Sequence, residues 1–147
     1  MARPIKRSTP PNHPAEAIYR YRPIVPVTLV GPANRRHGAY AVLDTGSDDC
    51  LFPIGFLVRI GGTPRPETGH HVTWRGSTHP ILYANISLML ADDTSTYSWP
   101  TIAAFTSAPI KFSLLGLAGC LQYFDARFRG ADRTVELEAN WTYPGTM

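Results

Sequence analysis

The sequence predicts an all-β fold, and three observations support that expectation. Across 147 residues, 14 prolines and 12 glycines interrupt nearly every window in which a long helix would run. Apolar residues recur at spacing two along Leu82, Ala84, Ile86, Leu88 and Leu90, the period of a strand with one buried face. The hydrophobic fraction of 44% is that of a globular chain, and the length suits one domain with one modest core.

The elements follow in chain order. Residues 1–17 carry Pro4, Pro10, Pro11 and Pro14 without apolar periodicity and are expected to form a flexible arm. The domain proper is expected over residues 18–138. Tyr19 to Val30 alternates and is rich in β-formers, and Pro26 suggests a sheet edge or a strand start. Gly31-Pro32-Ala33-Asn34 marks a turn. Tyr40 to Leu43 is a short apolar run that delivers Asp44 at its end. Leu51-Phe52-Pro53-Ile54 reads as another extended segment, and the glycines and prolines from Gly61 to Pro66 as a loop.

His71 to Trp74 and Ile81 to Leu90 read as the arms of a hairpin with Arg75-Gly76-Ser77-Thr78 at its tip. Ala91 to Ser95 turns the chain into a strand from Tyr97 to Phe105. Ile110 to Leu115 leads into Gly116, and Leu117 to Phe124 suits one or two helical turns. Ala126 to Leu137 reads as a closing hairpin about Gly130-Ala131-Asp132. Residues 139–147 form a polar and aromatic C-terminal tail whose state the composition leaves open. No internal repeat is visible.

Composition narrows the function classes. The net charge of +3 rests largely on Arg3, Lys6, Arg7, Arg20, Arg22, Arg35 and Arg36, read as solvated positions. No nucleic-acid motif accompanies them, so no nucleic-acid partner is expected. Cys50 and Cys120 lie in apolar surroundings and are expected to be buried free thiols. The N-terminal segment lacks a signal-peptide core and no stretch has the length of a membrane span, so a cytoplasmic setting without a membrane partner is expected. His70 and His71 point to opposite faces of a strand and His79 stands across the hairpin, so these are read as surface histidines. No metal and no cofactor are expected.

The chemistry concentrates in one run, Ala41-Val42-Leu43-Asp44-Thr45-Gly46-Ser47-Asp48-Asp49, and Asp-Thr-Gly occurs once in the chain. Taken alone, Asp44 suits a turn after a strand, Ser47 a turn cap, and Trp74 hairpin packing. A second marker, Leu114-Leu115-Gly116, stands further along. An apolar strand ending in Asp-Thr-Gly-Ser, followed by two apolar residues and glycine, resembles the core of the retropepsin-like (retroviral-type) aspartic proteases. The resemblance spans roughly Tyr19 to Glu138.

That resemblance implies a closed β-barrel of the acid-protease half type, with a flap hairpin and one short C-terminal helix. It implies a catalytic loop of Asp44, Thr45 and Gly46, supported by Ser47 and Gly116. Thr45 would lock two loops face to face, and Ser47 would donate to the outer oxygen of Asp44. Asp48, Asp49, Trp74, Arg75 and Gly76 would contact a peptide or protein substrate. Such enzymes hold one water between two carboxylates, and a single copy of the loop is half a site. The implied enzyme is therefore a homodimeric endopeptidase in which Asp44 meets its own copy. Two carboxylates in close contact share one proton, so the pair titrates as a unit and the expected activity profile is bell-shaped and acid-shifted.

Two departures separate this chain from the viral pattern. Leu117 stands where viral members usually carry an arginine that pairs with an aspartate past the loop, so Asp48 either stays solvated or finds another partner, for which Arg20 or Arg22 are candidates. The hairpin tip holds Trp74, Arg75 and a single glycine, where the viral tip is glycine-rich and apolar. These departures sustain a second reading, a catalytically silent dimeric module that holds a peptide. A third is a structural β-domain without a site.

Overall fold

The computed structural model describes residues 2–4, 6–8 and 20–146, and for residues 2–4, 6–8, 20 and 21 it describes the backbone alone. The fold is mostly β. Part of the expected flexible arm over residues 1–17 lies outside the described residues. Within it, β1 (Ala2–Pro4) and β2 (Lys6–Ser8) are paired strands, β2 with β3 (Arg20–Arg22).

Six strands close a barrel. They are β4 (Ile24–Val30), β5 (Arg36–Leu43), β6 (Leu51–Pro53), β8 (Ser77–Ala91), β9 (Thr96–Thr106) and β10 (Ser113–Leu115), with β7 (His71–Trp74) attached outside the ring. The order around the ring is β4-β5-β10-β6-β9-β8, and β8 returns to β4 through Thr28–Val30. Closure leaves the ring without a free edge. Pro26 lies before the segment of β4 that meets β8, where a missing N–H breaks no pairing on that side.

Alternation along the strands builds the interior. On β8, Ala84, Ile86, Leu88 and Leu90 are buried, and on β4 Val25, Val27 and Leu29 are buried. The first residues of β8 leave this core and pair with β7, so the hairpin projects from the barrel. Its tip is tighter than the four residues expected. Trp74 pairs with Ser77, and Arg75 and Gly76 make the turn with φ of 49° and 81°. Two positive φ values are the signature of the two-residue turn whose twist matches its strands.

The short α1 (Ile54–Arg59) begins at the last residue of the extended segment read over Leu51 to Ile54, and no helix was expected there. Pro53 precedes its first residue, Leu57 and Ile60 face the core at helical spacing, and Gly61 (φ 69°) stops it. The expected C-terminal helical turns are a single 3-10 turn at Leu121–Tyr123. No helix among the described residues is long and apolar enough to cross a membrane.

After that turn come β11 (Phe124–Arg129) and β12 (Thr134–Ala139), the closing hairpin expected from the sequence. β1 joins the far side of β12, giving a three-stranded sheet in the order β1-β12-β11. The tail then folds back on the barrel. Thr146 bridges to Ser98, and the Tyr143 ring packs against Tyr97, Trp99 and Phe124 at 5.5, 6.1 and 5.7 Å.

Candidate active site

Asp44 sits immediately past the end of β5, where the strand leaves the core. β5 runs parallel to β10 with Leu43 opposite Leu115, and both side chains are buried. The Asp44 N–H donates to the Leu115 carbonyl at 3.0 Å, which carries the pairing one residue further. The apolar residues before Asp44 thus anchor it, and its half-buried side chain starts a tight turn. The Ser47 N–H closes that turn on the Asp44 carbonyl at 3.1 Å, and the Gly46 N–H donates to Asp44 Oδ1 at 2.9 Å.

The second marker folds onto the first. The Leu117 and Ala118 N–H groups donate to the Ser47 and Asp48 carbonyls at 2.9 and 2.8 Å. Gly116 lies between these bonds and the one from Asp44 to Leu115. A β-carbon there would stand 2.3 Å from the Asp49 carbonyl oxygen and 2.6 Å from that of Ser47. Only glycine lets the two backbones approach so closely.

The Ser47 hydroxyl takes a different partner from the one the resemblance implied. It donates to the Asp49 carbonyl at 2.7 Å, bracing the loop internally, while the donor on Asp44 is the Gly46 amide. Thr45, Gly46 and Asp48 are exposed, and Asp49 is half-buried. The described ion pairs, Arg65–Glu67 at 2.6 Å and Arg129–Glu136 at 2.8 Å, do not involve Asp48. The Leu117 backbone holds the loop, and its side chain is 45% exposed.

Trp74, Arg75 and Gly76 share the hairpin tip, with the Arg75 guanidinium 5.5 Å from the Trp74 ring centre. Among the described residues no hydrogen bond, ion pair or ring contact joins this tip to the loop 44–49. The hairpin meets the loop lower down. The Tyr83 hydroxyl on β8 donates to Asp49 Oδ2 at 2.9 Å, and its phenol is pushed up to about 12 by partial burial, then by that hydrogen bond and the Asp49 charge. Sequence reasoning passed over Tyr83. Its signal was an aromatic residue on the outward phase of an alternating strand.

Asp49 also borders an open cleft of about 790 Å³, which continues past Ala118 and Gly119 to Asn85, Ser87 and Ile102. Behind the loop, Cys50 and Cys120 are both free and fully buried, as expected. The Cys50 thiol donates to the Ala118 carbonyl at 3.6 Å, and the neighbouring Cys50 thiol together with burial pushes Cys120 well above the usual thiol range. His71 and His79 stand opposite Pro80 and Val72 in the hairpin, and His70 lies edge-on to the Tyr83 ring at 5.1 Å.

No family model matches the chain, and no curated protein matches it. Among solved structures, the chain is similar to the EIAV protease complexed with the inhibitor HBY-793. The TM-score is 0.47 and the identity 17%, over 65% of this chain and 81% of that one.

Proposed function

We propose that this chain is an aspartic endopeptidase, active as a homodimer, with residues 18–138 as the catalytic domain. The observation that carries the proposal is the loop itself. Asp44 leaves a buried strand, is locked to Leu115, and has one carboxylate oxygen fixed by the Gly46 amide. Gly116 closes the pair of segments from behind. This arrangement holds a carboxylate rigidly at a surface, as the chemistry requires of each half of the site.

In the proposed reaction a water lies between Asp44 and its copy. One carboxylate removes a proton from the water as it attacks the scissile carbonyl. The other, protonated, donates to the carbonyl oxygen; as the resulting diol collapses, the proton taken from the water passes to the leaving amine and a diol hydroxyl returns a proton to the other carboxylate. Thr45 faces its own copy beside the dyad. The exposed apolar side chain of Leu117 gains cover from the second protomer in place of the viral ion pair.

The terminal sheet supports self-association. β11 has β12 on one side and no described strand on the other, and Asp125 to Phe128 are all exposed. An exposed strand edge of this kind is a template for pairing with a second chain. The β7–β8 hairpin acts as the flap, with Trp74, Arg75 and Gly76 closing over an extended peptide that Asp48 and Asp49 hold by its N–H groups. Incubation with a diverse peptide library from acidic to neutral pH tests the proposal. Specific cleavage that Asp44→Asn abolishes, with the fold intact, is the expected result. Equal turnover by that variant removes the assignment.

A further inference from the structure

We propose that Tyr83 is a positioning residue for substrate, aiming the Asp49 carboxylate and tying it to the flap strand. The inference rests on the peptidase reading and adds the device that orients one of its substrate contacts.

Asp49 is fixed at both ends. Its carbonyl accepts the Ser47 hydroxyl at 2.7 Å and lies against Gly116, so the backbone has no room to shift. Its side chain has two free torsions, and the Tyr83 hydroxyl removes them by holding Oδ2 at 2.9 Å. Oδ1 is left to receive a donor. A carboxylate already ordered before substrate arrives binds a peptide N–H without losing further torsional freedom.

Tyr83 is itself held from three directions. Its backbone pairs with Ala104 of β9, and its carbonyl accepts the Arg65 N–H at 2.7 Å. Its ring meets His70 edge-on, and the His70 carbonyl accepts the Ile81 N–H at 2.9 Å. Arg65 further reaches Asn85 Oδ1 at 3.1 Å. The loop containing Arg65 and His70 therefore clasps the base of the projecting hairpin at Tyr83. The hydroxyl is the point where that clasp reaches the Asp44 loop.

Tyr83→Phe keeps the ring and its contact with His70 and removes one hydrogen bond to a charged group. The expected result is a roughly tenfold rise in KM for peptide cleavage, with kcat within about twofold because Asp44 is untouched. A positional role predicts one further effect that loss of packing does not. In a substrate series in which each backbone N–H is replaced by an ester oxygen in turn, one replacement weakens cleavage by the native protein and costs Tyr83→Phe little more. Non-additivity at that one position marks a shared interaction.

Binding of a peptide carrying a statine in place of the scissile bond gives the same comparison without turnover. Unchanged KM and unchanged statine-peptide affinity in Tyr83→Phe, with the native protein active, overturn the role of Tyr83 and leave the peptidase reading standing. A native protein that neither cleaves the library nor binds the statine peptide overturns both.

Discussion

Gly116 presses on the Asp49 carbonyl so closely that a β-carbon would stand 2.3 Å from the oxygen. That contact joins the two sequence markers into one structural unit, because the neighbouring Leu117 and Ala118 bond by main chain back to Ser47 and Asp48 of the loop. Gly116→Ala is therefore expected to destabilise the protein by about 3 kcal/mol or more, since backbone has to move to admit the methyl group. Denaturant unfolding checks this, with Gly38→Ala as the control, because a β-carbon at Gly38 meets nothing within 4 Å.

The tail belongs to the core. Tyr143 packs on Trp99 and Phe124, its hydroxyl accepts from the Ser98 N–H at 2.9 Å, and a β-carbon on Gly145 would lie 2.0 Å from the Ser98 carbonyl oxygen. Removing residues 140–147 uncovers Trp99, which is 1% exposed in the intact chain. A loss of about 3 kcal/mol is expected, read by denaturant unfolding.

Much of this fold was legible because strands leave a period-two trace that folding does not erase. The alternation on β8, the turn at Arg75-Gly76 and the closing hairpin about Gly130 were all visible as local pattern. The Asp44 loop and Gly116 were legible for a different reason, their resemblance to a family motif. Of the two, Gly116 stands where a close backbone approach admits no β-carbon. α1 escaped because its six residues are too short to display a helical stripe, and its main signals were Pro53 before it and Gly61 after it. The Tyr83–Asp49 bond and the seat of Tyr143 escaped because each joins distant residues by side chain, with no local period to announce it. Ser47 escaped in a subtler way. Its hydroxyl had two acceptors within reach of one turn, and the Asp49 carbonyl won.

Tyr83 sets a limit on alkaline stability. Partial burial, then the Asp49 hydrogen bond and charge, push its phenol up to about 12 from an ordinary value of 10.0. Between these values the unfolded chain has lost the proton and the native protein retains it, so stability falls as pH rises through that window. Below pH 10 this contribution is fully present. Tyr83→Phe is expected to flatten the decline measured by urea unfolding from pH 9 to 12. An identical decline in the variant contradicts the placement of the hydroxyl on Asp49.

The edge of β11 to which no described strand is paired carries its own complement. With Ala126 on a two-fold axis, antiparallel self-pairing sets Asp125 against Arg127 of the second copy and Phe124 against its Phe128. Ala126→Cys is expected to yield a disulfide-linked dimer under mild oxidation, and Arg129→Cys, off the axis in this register, is not. The products are read as mass on a non-reducing gel. Cross-linking at both positions or at neither rejects the register.

In the proposed enzyme a single Asp44 is half of a shared site, and mixing native chains with inactive ones separates this from a site built by one chain. Native protein and Asp44→Asn are unfolded together, refolded at fixed total concentration in varying ratio, and assayed on one peptide substrate. If two copies of Asp44 make each site, activity falls as the square of the native fraction, to about one quarter at an equal mixture. A linear fall, to about one half at the same point, means that each chain works alone and contradicts the account.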